Sequence, residues 1–186
     1  MQQIVAITMD HVLGFREALD SVARERAYLA QVEAPSLEWA SSFVAKNIQS
    51  DYAQFVAIDS GAVVGWCDII PSSRPGFGHS GTVGMGVIKG WRHKGLGKAL
   101  LDACLQKSRK NGLTRIELEV YASNQSAIAL YNQFGFVPEG FKRRARFLDG
   151  EYQDLVVMAL LFDATKPTLR RTLLRGTAYL FRHLLQ

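Results

Sequence analysis

Val87-Ile88-Lys89-Gly90-Trp91-Arg92-His93-Lys94-Gly95-Leu96-Gly97-Lys98 is the stretch on which the reading of this chain turns. An apolar strand, Ser80–Ile88, runs into it. A basic loop with three glycines follows, and Leu96, Leu100, Leu101, Cys104 and Leu105 then recur at helical spacing until Asn111-Gly112 stops the helix. The backbone N–H groups of a helix start are unpaired and sit at the positive end of the helix dipole. Glycines let that backbone approach an anion closely, and Arg92, Lys94 and Lys98 add positive charge. The stretch therefore points to a phosphate or pyrophosphate ligand, the alternative being a solvated glycine-rich connection. Two familiar nucleotide loops do not fit. GxxxxGK[ST] is absent, and GxGxxG fails because Leu100 stands where the third glycine belongs. Glu117 is spaced like a ribose-binding acid, but it belongs to the alternating pattern of the next strand.

Working outward, Arg115–Tyr121 alternates Ile116, Leu118 and Val120 against Glu117 and Glu119. Strand, helix and strand over 80–121 imply a parallel pair joined by a crossover helix. Gln54–Ile58 and Ala62–Ile70 flank the turn Asp59-Ser60-Gly61, and Phe141–Phe147 and Tyr152–Leu161 flank Asp149-Gly150, so both pairs read as antiparallel hairpins. Gln3–Thr8 reads as a strand. Asp10 is expected to cap a helix over 11–26 with Val12, Phe15, Leu19 and Val22 inward, and Ser36 a second helix with Trp39, Phe43, Val44 and Ile48 inward. A short helix is expected from about Ser126 to Phe134. The order is βααβββαβαββ. The expected fold is mixed α/β: a twisted mixed β-sheet of about seven strands with helices on both faces, then a C-terminal amphipathic helix. Residues 1–162 are expected to form one domain and 163–186 a basic tail.

Asn124-Gln125-Ser126-Ala127-Ile128-Ala129-Leu130-Tyr131-Asn132-Gln133-Phe134-Gly135-Phe136 is the second informative run. Asn124 and Ser126 suit a helix start, and Tyr131 lies about two helical turns beyond Asn124, so both fall near one face. Together the two runs resemble the paired signatures of the GNAT superfamily of acetyl-CoA-dependent N-acetyltransferases. Arg92-His93-Lys94-Gly95-Leu96-Gly97 matches R/Q-x-x-G-x-G/A, and Asn124 to Phe136 matches N-x-x-A-x-x-L-Y-x-x-x-G-F. The resemblance spans roughly residues 3–162 and is closest to members acting on small amines and amino acids, with ribosomal-protein N-acetyltransferases near by.

The resemblance implies acetyl-CoA as co-substrate and no metal. It implies that Arg92, His93, Lys94, Gly95, Leu96, Gly97 and Lys98 hold the pyrophosphate. The pantetheine arm would pair with backbone groups of Met85, Val87 and Ile88 and touch Asn124, and Tyr131 would protonate the departing thiolate. Direct attack by a neutral, well-held amine needs no protein nucleophile. It does need a base, an oxyanion donor and an acid, and backbone N–H near Val87 is a candidate oxyanion donor. The base stays open among Glu25, Glu33, Asp68, His79, Glu119 and a water chain. Glu33, in the loop between the first helices, and His79, just ahead of the coenzyme strand, are put forward as catalytic. The expected acceptor is the primary amine of a small molecule, an amino acid or a polyamine-like compound. A protein N-terminus or lysine is the alternative acceptor, and a non-catalytic acyl-CoA-binding module the alternative role.

Composition agrees with a globular domain: of 186 residues 48% are hydrophobic and 21% charged, with formal net charge +5. Most of that charge lies in residues 163–186, whose Lys166, Arg170, Arg171, Arg175 and Arg182 face one acid, Asp163. The basicity thus belongs to the tail, and no nucleic-acid partner is expected for the main domain. Cys67 and Cys104 have neither disulfide-framework nor zinc spacing. No signal-like start or transmembrane-length apolar run is seen, so a cytoplasmic location is expected. In the tail, Leu169, Leu173, Leu174, Leu180, Phe181, Leu184 and Leu185 share one side of an expected helix. That side is expected to pack on its own domain or on a second subunit of a homodimer, the alternative being a membrane surface or the ribosome.

Overall fold

The computed structural model describes residues 2–162, so the expected tail helix lies outside the described residues. The elements are β1 (Gln3–Ala6), α1 (Val12–Ala23), α2 (Leu37–Gln49), β2 (Ala53–Asp59), β3 (Ala62–Pro71), β4 (Ser80–Val87), α3 (Leu96–Lys110), β5 (Arg115–Tyr121), α4 (Gln125–Gln133), β6 (Val137–Leu148) and β7 (Glu151–Leu161). They form one seven-stranded sheet in the order β1-β2-β3-β4-β5-β7-β6. The expected order of elements is reproduced. Both turn signals close two-residue hairpins, with Ser60 and Gly61, and Asp149 and Gly150, at positive φ.

Two details of the sequence reading are corrected. Asp10 does not cap α1. Thr8, in extended backbone, caps a single 3-10 turn over Met9–His11, and its N–H donates to His11 Nδ1 at 3.0 Å, which leaves Asp10 inside the turn. Arg26, at φ 59, has left the helix, which ends at Ala23. Ser36 does cap α2, accepting from Trp39 N at 3.1 Å. The buried row of that helix, however, is Ala40, Val44 and Asn47. Trp39 and Ile48 are exposed, and Trp39 stacks on Phe43 at 4.9 Å. Helix propensity and size favoured the aromatic row; packing against α1 selected its smaller neighbour.

Helices cover both faces. α1 and α2 bury Phe15, Leu19, Val22 and Val44 against Val56 and Trp66 of the sheet. α3 buries Leu96, Leu100, Leu101 and Cys104 against Cys67, Ile116, Leu118 and Met158, joined by Tyr131 and Phe136. Each such leucine contributes about 1.5–3 kcal/mol on burial, enough to fix the start of α3 against the end of β4. Cys67 and Cys104 are free buried thiols, and Cys104 Sγ donates to the Cys67 carbonyl at 3.1 Å.

One junction in the sheet is parallel, and it is incomplete. β4 and β5 pair at Ser80↔Arg115, Gly81↔Ile116 and Thr82↔Glu117, and no further. Beyond Thr82, β4 stays paired with β3 as far as Val87, while β5 stays paired with β7 as far as Tyr121. The two strands part, and the site lies in the gap.

Candidate functional site

A cavity of about 470 Å³ fills the gap between β4 and β5. Its first wall is the second half of β4, Val83 to Val87. Ile88 N donates to Val64 O of β3, and Ser80 O accepts from the same side. Peptide groups alternate along a strand, so those of Val83, Met85 and Val87 face away from β3 and toward the gap. There they have no β5 partner. Met85 therefore presents both its N–H and its C=O to the gap, and Val87 its N–H, its carbonyl being taken by Arg92. Ile88 turns the other way: its N–H is used by the sheet, and its side chain packs with the α1–α2 core.

The second wall is the loop before α3. Lys89–Trp91 forms one 3-10 turn, His93 stands at φ 61, and Gly95 caps α3 at φ 82. A side chain is strained at Gly95's conformation, and none caps α3, which has no acid in its first turn. The first N–H groups of a 15-residue helix are thus open to an anion. His93, Gly95, Gly97 and Lys98 line the cavity. A Cβ at Gly97 would stand 3.4 Å from Leu130 and 3.6 Å from Met85, so glycine keeps this corner narrow but open. Leu96 is buried in the core and offers only its backbone. Lys94 lies outside the lining, its ammonium 4.5 Å over the Trp91 ring. Arg92 lines the cavity, but its guanidinium is engaged. Nε donates to Val87 O at 2.9 Å, Glu25 binds both terminal nitrogens, one at 2.8 Å, and the Tyr28 ring lies 4.6 Å away. Arg92 therefore braces the loop, and Lys98 is the lysine on the lining.

The third wall is β5 and α4. Asn124 caps α4, its Oδ1 accepting from Ala127 N at 3.1 Å, which leaves its side-chain N–H₂ as the free polar end. Seven residues later Tyr131 borders the same cavity. Its ring packs on Phe136 at 5.6 Å, and its hydroxyl has no hydrogen-bond partner among the described residues. Burial pushes the Tyr131 hydroxyl above the usual tyrosine range. The group is therefore a phenol rather than a phenolate at neutral pH and can donate a proton.

The expected bases separate. Glu33 is exposed on the α1–α2 loop, 3.8 Å from Arg24, and does not line the cavity. His79 precedes β4 at its opposite end, where its carbonyl accepts from Thr114 and Arg115. It stands below the closed part of the β4–β5 ladder, away from the gap, so neither of these expected catalytic residues borders the cavity. Glu25 is consumed by Arg92. Glu119 lines the cavity and pairs with Lys142. Asp68 is buried on β3 behind Gly84. Sequence reasoning missed Tyr28, Leu29, Tyr121 and Leu155, which complete the lining. They come from three separate elements with no shared motif. Tyr121 Oη, which donates to Leu29 O, and Arg146, which donates to Arg26 O and Ala30 O, tie the α1–α2 loop to the rest. Among the described residues no group of His, Cys, Asp and Glu gathers as a metal site, and no helix is long and apolar enough to cross a membrane.

Comparison with known proteins follows the same outline. A model of the acetyltransferase (GNAT) family matches residues 17–136. The L-amino acid N-acetyltransferase of Escherichia coli is 35% identical over 108 residues, 57% of this chain and 66% of that protein. The ribosomal protein bS18-alanine N-acetyltransferase of E. coli is 26% identical over 143 residues, 77% of this chain and 94% of that protein. In fold, the chain is similar to a GNAT superfamily phosphinothricin acetyltransferase from Sinorhizobium meliloti crystallised with AcCoA. That likeness has a TM-score of 0.83 at 21% identity and covers 91% and 94% of the two chains.

Proposed function

The chain belongs to the acetyltransferase (GNAT) family and is an acetyl-CoA-dependent N-acetyltransferase, and from that premise we propose that it acetylates the primary amine of a small molecule of the amino-acid class. One observation carries the reading: the open start of α3, the unpaired inner edge of β4 and the Tyr131 hydroxyl border a single cavity. The pyrophosphate of acetyl-CoA sits on the N–H groups after Gly95, helped by Lys98. The pantetheine arm runs along Val87 and Met85 and passes Asn124, which brings the thioester between β4 and Tyr131. An N–H of the inner β4 edge stabilises the oxyanion. As the amine nitrogen bonds to the carbonyl carbon, the C–S bond breaks and Tyr131 protonates the sulfur. The coenzyme thiol, with a pKa of about 8.5, is the stronger acid of the pair, so the proton passes only as the C–S bond breaks, and Tyr131 is restored by the proton that the acetylated nitrogen sheds. Residues 1–162 form the catalytic domain, and the tail from 163 serves assembly.

The small-amine reading leans on the aromatic and aliphatic lining of the acceptor end, from Tyr28, Leu29, Tyr121 and Leu155, and on the L-amino acid relative. A second reading, acetylation of a protein N-terminus, has its own support in the ribosomal-protein relative, of which 94% is covered. A panel of amino acids, other small amines and N-terminal peptides, assayed with acetyl-CoA by release of free thiol, tests both. Thiol release with free amino acids is the expected result. Release with peptides alone selects the second reading, and none with any amine overturns the enzymatic role.

A further inference from the structure

Across the α1–α2 face of the sheet runs a row of polar side chains that the coenzyme site does not use. Asn47 of α2 donates to Gln54 Oε1 of β2 at 2.9 Å. Gln54 pairs in register with Asp68 of β3, and Asp68 with Gly84 of β4. Asn47 and Gln54 are each 2% exposed and Asp68 8%. A hydrophobic sheet would place Val or Ile at these positions. Instead Gln54 Nε2 is a buried donor without a partner. The Asp68 carboxylate makes no hydrogen bond or ion pair among the described residues. A buried donor without a partner thus stands one strand from a carboxylate without one, beside the wall of the acetyl-transfer cavity, where each is costly to keep.

Gly84 shows where the row leads. It lines the cavity, and a Cβ built on it would stand 2.9 Å from Asp68 Oδ1. Asp68 is not itself on the lining; the bare backbone of Gly84 lies between its carboxylate and the gap. The register that ends at Thr82↔Glu117 places Gly84 level with Glu119 across the opening. On the coenzyme path proposed above, the thioester lies at this level, above Met85.

Resting on that reading, we propose that Asp68 is the group that receives the acceptor: its carboxylate holds the substrate ammonium at Gly84 and takes one proton from it, which frees the nitrogen lone pair for attack on the thioester carbonyl. The balance is simple. The ammonium becomes an amine and the carboxylate an acid; the C–N bond forms, the C–S bond breaks and Tyr131 protonates the sulfur. The proton that the new amide nitrogen sheds restores Tyr131 through solvent, and Asp68 returns its own proton to solvent after release. Gln54 Nε2, level with Asp68 on the next strand, positions the row. Burial raises the Asp68 carboxyl from its ordinary 3.8 to about 7, which suits a base at neutral pH. The groups facing it are neutral: Gln54 from β2, Asn47 beyond it from α2, and Gly84 from β4. Its titratable strand neighbour is Cys67, whose thiol burial holds protonated. Across the gap stand Glu119, paired with Lys142, and His93 on the phosphate loop.

The test is Asp68→Asn, an isosteric loss of charge, assayed on an amine that the wild-type enzyme acetylates. The expected result is a fall in acceptor kcat/KM of roughly 10²-fold or more, with acetyl-CoA affinity by calorimetry unchanged. The wild-type profile should lose about tenfold in kcat/KM per pH unit below about 7, and the variant should lack the break near pH 7, its rate following the free-amine fraction of the substrate instead. Full turnover in Asp68→Asn overturns the proposal, as does a break near pH 7 that survives in it. If the variant does not melt cooperatively, two measurements still decide. Gly84→Ala displaces the carboxylate and should lower kcat/KM, and a wild-type profile flat through pH 7 refutes the role without any variant. A wild-type protein that binds acetyl-CoA but acetylates nothing indicts the enzymatic reading rather than Asp68.

Discussion

The proposed coenzyme half of the cleft comes from two continuous runs, 85–98 and 124–131, whereas the proposed acceptor half takes single residues from α1, the α1–α2 loop, β4, β5 and β7, with Asp68 of β3 behind them. Binding a pyrophosphate needs consecutive N–H groups at a helix start, and consecutive N–H groups require consecutive residues. Holding one ammonium needs a carboxylate at one point in space, and any strand can deliver it. The first half is therefore a local structure with a tertiary setting. The second is a tertiary structure only.

This contrast can be broken most sharply at the residue where the halves meet. Tyr131→Phe keeps the ring packed on Phe136 and removes the proton donor. Turnover should fall about 10²–10⁴-fold while acetyl-CoA affinity and acceptor KM hold. Unchanged turnover, with chemistry rate-limiting, would mean that the thiolate leaves without help from Tyr131.

Asp68 offers a test in stability rather than rate. Its folded pKa, about 7, exceeds its ordinary 3.8, so the folded state holds the proton more tightly than the unfolded chain. The carboxylate is without effect below about pH 4, where both states are protonated, weakens the fold as pH rises toward 7, and does so fully above. Asp68→Asn should raise Tm at pH 8, by up to roughly 4 kcal/mol in free energy, and leave it near wild type at pH 4. Equal melting at both pH values would show that Asp68 ionises freely, as an ordinary surface carboxylate does.

Gly97→Asp should touch the coenzyme half alone. It places a carboxylate where the pyrophosphate approaches and where even a Cβ meets Leu130 at 3.4 Å. Acetyl-CoA affinity should drop by at least ~2 kcal/mol, roughly thirtyfold, with Tm close to wild type. Calorimetry showing wild-type affinity in the folded variant would move the phosphate site elsewhere.

The same contrast explains what the sequence revealed. All eleven helices and strands were legible from periodicity and turn residues, because each is decided within a dozen residues. The phosphate loop and Tyr131 stood out because each belongs to a continuous run with fixed offsets, one at the start of α3 and one on α4. Glu33 was put forward for its place in the loop between the first helices and His79 for its nearness to the coenzyme strand, and neither position tells which way a side chain is carried: β4 has His79 at the end away from the gap. Asp68 stood among the open candidates without distinction, since only the register Gln54↔Asp68↔Gly84 gives it a purpose. The mistaken α2 row has the same origin, for Ala40 and Asn47 were chosen by what lies opposite them.

The parting of β4 and β5 also bears on how the protein responds to load. Three register pairs and the underside of α3 form a spine, from which β1–β4 and β5–β7 extend as two leaves. Within each leaf the strands are paired with one another, while the leaves are joined at those three pairs alone, so the sheet yields most easily through the angle between them. A molecule laid along both inner edges adds its binding free energy to the cohesion of the leaves. By reciprocity, whatever stiffens the spine tightens the grip on that molecule. Affinity and rigidity are, in this architecture, one quantity measured from two ends.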